Sequence, residues 1–280
     1  MKRLLLATMV LVVGCHKADD AAGGGDDGTG GMGGMTGMDA APTPEMITDV
    51  NADVTADTEW SGLVKVHKTV TVAAGVTLTV DPGTSIQFDR TAGMNVLGTM
   101  NVGGTKAMPV SIGAAPGNAN FGDWGIPSGT VSMTYVVMKG AGFAISGTGA
   151  LTVRDSTFSH HVHDLLVIGG GTVDMQYSWI GEPEGTADTT HCDIHIQGGT
   201  PKVTVSHTNL STSSYGIMLY TGIDVDLTYD NWFSNSLDID KSAGTTGDVS
   251  FGYFAKGAPS LSDLTASNMS SAMVSDAGPR

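Results

Sequence analysis

The chain repeats itself, and the period decides what it can fold into. Segments beginning at Val131, Leu151, Val173, Val203, Val225 and Val249 place apolar residues at their first and third positions, with Thr, Asp or Ser between them. An apolar residue usually closes the eight-residue unit, and the starts lie 20, 22, 30, 22 and 24 residues apart. Such alternation is the signature of short strands. A second recurring strand lies between the units, at 142–145, 164–168, 192–196, 215–219 and 236–239. Each unit of about 22 residues therefore holds at least two strands and no helical period. One unit cannot bury its own inward row. Stacked in parallel at about 4.8 Å, successive units share one apolar interior and align equivalent residues in ladders. The expected fold is an all-β, single-stranded parallel β-helix of about nine coils, roughly 40 Å long at that spacing. The long 30-residue interval predicts an insertion at 181–190 that bulges from a turn.

Upstream, residues 69–72 and 76–80 alternate, residues 81–84 (Asp-Pro-Gly-Thr) form a turn, and short strands follow around Ile86, Met94, Met100 and Val110. The string from Val76 to Phe88 resembles the entry coil of secreted bacterial right-handed parallel β-helix proteins of the pectin-lyase-like superfamily. The later units resemble their parallel β-helix repeats, and the likeness covers roughly residues 58–258. It implies a right-handed solenoid but no one function, because that superfamily holds lyases, hydrolases, esterases and adhesins. A propeller or sandwich is the alternative. Its hairpins would call for Asn-Gly or Asp-Gly turns, which are missing between these strands. The β-helix is placed at 46–258, with 259–280 as a C-terminal cap or tail over the last edge.

The chain opens Met1-Lys2-Arg3, runs uncharged from Leu4 to Val13, and reaches Gly14-Cys15. Ten uncharged residues rise only about 15 Å as a helix, half a hydrocarbon core, so residues 1–14 read as a secretory signal and not a membrane span. The ending Leu11-Val12-Val13-Gly14-Cys15 resembles the lipobox of bacterial lipoproteins. That likeness implies cleavage before Cys15, palmitate-type acylation there, and attachment to a membrane through the lipid anchor. The alternative is an ordinary signal with an incidental Cys15. His16, not Asp, follows, and the family's best-known sorting rule then implies the outer membrane or cell surface. The linker at 15–45 carries nine glycines and five aspartates. It reads as a disordered spacer, with Met32, Met35 and Met38 as a soft-metal alternative.

The net charge of −15 becomes −17 once Lys2 and Arg3 leave with the signal. Nucleic acid is excluded as a partner on that ground, and so are anionic lipid surfaces. A monomer is expected. With Cys15 acylated, Cys192 has no intramolecular partner.

Five of the eight histidines fall between 160 and 195. If Ile194 and Ile196 point inward, then His191, Asp193 and His195 point outward. Aligning Leu166 with Ile194 sets His163 beside His191. His163, His191 and Asp193 are thus expected to converge as a zinc or copper set, or to hold a general base. His195, four residues along the strand from His191, is expected about 13 Å away from it, and Cys192 is expected to face inward. Asp224, Asp226, Asp230, Asp238, Asp240 and Asp248 form an acidic group whose oxygens suit calcium, against an ordinary reading as surface charge. Arg154 and Asp174, with Tyr215 and Tyr220 bracketing a strand, make a candidate ligand face for polysaccharide. Neither the calcium–arginine pattern of pectate lyases nor the acid sets of polygalacturonases surrounds them, so no catalytic residue is carried over. Three functions stay open. The first is a binding or structural module on glycan or matrix, and the second a polysaccharide-active enzyme. The third is a metal-binding envelope protein using His163, His191 and Asp193. Binding is favoured over catalysis, and calcium or zinc are the candidate ions.

Overall fold

The computed structural model describes residues 47–181, 191–221 and 224–280. Cys15, the signal segment, the linker and residues 182–190 of the insertion lie outside the described residues. Three parallel sheets wrap one apolar interior. Sheet one runs from Ile47–Val50 to Tyr253–Phe254 and sheet two from Thr58–Trp60 to Leu264–Thr265, with ten strands each. Sheet three runs from Val70–Val72 to Leu237–Lys241 and has eight. One coil gives one strand to each: Thr130–Thr134 to sheet two, Val136–Lys139 to sheet one, Phe143–Ile145 to sheet three. The protein is a parallel β-helix.

The register follows the repeat. Val131, Leu151, Val173, Val203 and Val225 form one inward column, and Met133, Val153, Met175 and Val205 the next. The unit begun at Val249 is displaced by two residues, because Gly247 is the residue paired with Val225. Glycine hides that column in the sequence, yet only glycine fits there: a Cβ on Gly247 would meet the Val225 side chain at 2.6 Å. The true spacing there is the ordinary one.

Each eight-residue unit also proves to be two strands, broken at its fifth residue. Tyr135, Asp155, Tyr177, His207, Tyr229 and Phe251 all take φ between 49° and 63°. This left-handed turn swings the chain from sheet two into sheet one. Inside, Trp124 meets Phe143 edge-on at 5.7 Å, and Phe143 meets Phe158 at 5.8 Å. All three are fully buried.

Just after the turn, the first residue of the sheet-one segment braces the corner. The hydroxyls of Ser156, Ser178 and Thr208 donate to the carbonyls two residues back, at 2.7, 2.9 and 3.1 Å. Ser156 Oγ also accepts the Val136 N–H of the coil below at 3.0 Å. In the next coil Asp230 takes the hydroxyl's place and accepts the Thr208 N–H at 2.8 Å. Complete burial pushes its carboxyl well above the usual carboxylate range. The unfolded chain releases that proton near pH 4 while the folded chain keeps it, so this site loses stability as pH rises above about 4. Asp230→Ser restores the hydroxyl and removes the slope. It is expected to raise Tm by about 2–8 °C at neutral pH, from roughly 1–2 kcal/mol at about 2–4 °C per kcal/mol. Melts of both chains at acid and mildly alkaline pH check this. A gap that fails to widen with pH would contradict it.

The C-terminal residues lie along the solenoid. Strand Leu264–Thr265 pairs with Thr246–Asp248. Farther on, the Val274 N–H donates to Asn231 Oδ1 at 2.7 Å and the Gly278 N–H to the His207 carbonyl at 2.8 Å. Arg280 donates from Nε to Asp155 at 2.9 Å, and its guanidinium covers the Tyr177 ring at 3.6 Å.

Candidate metal centre

The corner entering sheet three carries the histidines. Leu166 pairs with Ile194 and Val167 with His195. One position earlier than Leu166 is Leu165, and two earlier is Asp164, directly below Cys192. His163 then lies below His191, and the two rings stack at 4.0 Å and 21°.

Asp164 is the hub. Its side chain is 1% exposed, yet it is ringed by donors. The Cys192 thiol donates to Oδ1 at 2.8 Å, and the Cys192 N–H reaches the same oxygen at 3.3 Å. His191 Nδ1 is in close contact with Oδ1. His195 Nδ1 lies 3.1 Å and His163 Nδ1 3.0 Å from Oδ2. Burial alone would push the Asp164 carboxyl up. The bonds from Cys192, His191 and His195 together outweigh it and hold the carboxyl below its usual value. Burial, and then the bond to Asp164, push the Cys192 thiol up. One ligand atom each from Asp164, His191, Cys192 and His195 lies within 4.8 Å of the other three.

Two expectations need correction. Asp193 does not join this set. Its side chain is wholly buried, with Oδ1 3.4 Å from Nε2 of an equally buried His161. Strand alternation fails there because the chain is turning a corner: Asp164, Leu165 and Leu166 are buried in succession, and so are Cys192, Asp193 and Ile194. The second correction concerns His191 and His195, whose ring centroids are 6.1 Å apart. His191 precedes strand Cys192–Ile196 and folds back over its start, so the strand rise does not separate the pair. Cys192 is buried, as expected, but its sulfur faces the carboxylate. Asp164 was missed although the register that pairs Leu166 with Ile194 also sets it below Cys192. It reads in the sequence merely as the polar start of an apolar strand.

The other candidates fall elsewhere. Arg154, on sheet two, pairs with Asp174 at 2.5 Å and also donates to the Val153 and Asp174 carbonyls. That places both on a different sheet from the histidines. Tyr215 and Tyr220 do flank the centre, with ring centroids 6.3 Å from His191 and 5.4 Å from His195 respectively. Tyr220 donates to Asp240 at 2.7 Å, and that bond pushes its phenol up to about 12. The acidic group is dispersed. Asp226 and Asp248 share an outer row of sheet two, Asp230 is sealed at a corner, and Asp240 belongs to Tyr220.

No family model, curated protein or solved structure matches the chain. What the centre does has to be read from its chemistry.

Proposed function

We propose that the chain is an exported, lipid-anchored β-helix protein whose solenoid binds one zinc-class divalent ion through Asp164, His191, Cys192 and His195. The observation that carries the metal reading is the convergence of a carboxylate, two imidazoles and a thiol within 4.8 Å around one buried position, while export and anchoring rest on segment 1–15 alone. Zinc bonds of about 2.0–2.3 Å in a tetrahedron set ligand atoms about 3.3–3.8 Å apart, so the shell closes when the pairs now hydrogen-bonded to Asp164 spread and the farther ones draw in, by about 1 Å at most. An entering ion displaces the hydrogens now shared between Asp164 and its three neighbours, and the freed thiolate and imidazoles become ligands. Nitrogen and sulfur donors suit zinc and disfavour calcium, which takes oxygen. Four protein donors fill a tetrahedral shell and leave no open position of the kind catalytic zinc uses. The role that follows is binding, with the ion pinning the segment before Leu166 to the coil above.

A polysaccharide surface finds less support. The faces of Tyr177, His207, Tyr229 and Phe251 are spent on one another at 4.7–4.8 Å, and Arg280 covers Tyr177.

Titrating the purified chain with zinc tests the proposal. One ion per chain is expected, with Kd at or below about 1 μM. Cobalt in its place should give visible d–d bands and a thiolate charge-transfer band that Cys192→Ser removes. Absence of binding, or a cobalt spectrum indifferent to Cys192, would overturn the assignment.

A further inference from the structure

We infer that the buried pair His161–Asp193 is a positioning device for this centre, an inference that rests on the zinc reading above. The ligands come from two stretches far apart in sequence. Asp164 lies just before strand Leu166–Ile168, while Cys192 and His195 belong to strand Cys192–Ile196 one coil later. His161 touches both. Its Nδ1 is 3.4 Å from the His163 carbonyl, and since a carbonyl only accepts, that nitrogen carries the hydrogen. Its Nε2 faces Asp193 Oδ1 at 3.4 Å, next to Cys192 in the chain. One ring thereby joins the backbone beside Asp164 to the residue beside Cys192.

The repeat itself does not ask for such a pair. The residue before Leu166 in the coil below is Leu165, and the residue between Tyr215 and Ile217 in the coil above is Gly216, both buried. Taking two ionisable groups wholly out of water is costly, and well-packed apolar residues of similar size often do as well or better for stability. Asp193 stands out of water where the neighbouring coils use Leu or Gly, and the pair adjoins the chain beside Asp164 and Cys192. Groups behind metal ligands fix ligand orientation, and losing them weakens metal affinity by about 10–100-fold.

The test is the double variant His161→Leu/Asp193→Leu, in the full chain beside the wild type, titrated with zinc and with cobalt. Zinc affinity is expected to fall about 10–100-fold. The metal-free Tm should hold or rise, since the buried pair is exchanged for apolar packing. The cobalt d–d bands should shift, reporting altered ligand geometry, which a merely structural role would leave in place. His161→Gln keeps an N–H donor for the His163 carbonyl and a polar end beside Asp193, and is expected to retain most of the affinity that His161→Leu loses. This single-site comparison decides the matter should the double variant fail to fold. Wild-type affinity and spectrum in the double variant, or equal loss in the Gln and Leu variants, would overturn the inference. If the wild type itself takes up no zinc, the parent reading falls and the brace is judged in the metal-free chain by proton NMR. The downfield N–H signals of His191 and His195 bonded to Asp164 should then vanish in the double variant, and their persistence would refute the brace.

Discussion

Asp164→Ala is expected to weaken zinc binding about 100–1000-fold. Structural zinc sites are worth roughly 10–16 kcal/mol, so one ligand of four carries about 2.5–4 kcal/mol, and each 1.4 kcal/mol is a factor of ten. Asp164 is the ligand to remove because both of its oxygens are engaged, with His191 and Cys192 on one and His195 and His163 on the other. Its loss frees the rings as well as deleting a donor. The same change separates metal from scaffold in a melting experiment. Zinc at 100 times Kd stabilises the wild type by about 2.7 kcal/mol, or roughly 5–11 °C in a chain of this size. The variant should show no such rise. Its metal-free Tm should fall only modestly, because His163 and His191 are partly open to water, 68% and 31% exposed, and can bond to solvent instead. A variant that still gains several degrees from zinc would remove Asp164 from the shell.

The scaffold carries the other large effect. Phe143→Ala should cost about 3–5 kcal/mol, the usual range for emptying a buried aromatic position, and lower Tm by about 6–20 °C. Phe143 is fully buried, stands edge-on to Trp124 and Phe158, and pairs in register with Leu166 one coil up. The Phe143 N–H also donates to the Leu165 carbonyl at 2.6 Å, so a cavity there disturbs the coil that presents Asp164. In a solenoid each coil is supported only by its neighbours, so damage at one coil is felt first by the next. Ala144, adjacent but outward-facing and exposed, is the control: Ala144→Ser should stay within about 0.5 kcal/mol. Denaturation of the three chains would show whether the inward column carries the stability. Equal losses at 143 and 144 would contradict it.

How much of this was legible follows from where alternation holds. Within the sheets a side chain's direction is settled by parity, and apolar residues at positions one and three could only be inward. The columns through Val131 and Met133, the parallel pairing, and the stacking of His163 on His191 all follow from that. Parity also hid things. Gly247 has no side chain to announce its column, so the apolar pattern resumes only at Val249, two residues past the true start.

The period alone demands the fold, since a strand unit too short to bury its own face must stack on copies of itself. The corners are set by contacts between coils. There the backbone turns from one sheet into the next, consecutive residues are buried together, and parity no longer says which side chain faces where. Hence Asp164 meets the histidines while Asp193 turns away to His161. The same bend brings His191 and His195 to one carboxylate, although a straight strand would hold them apart.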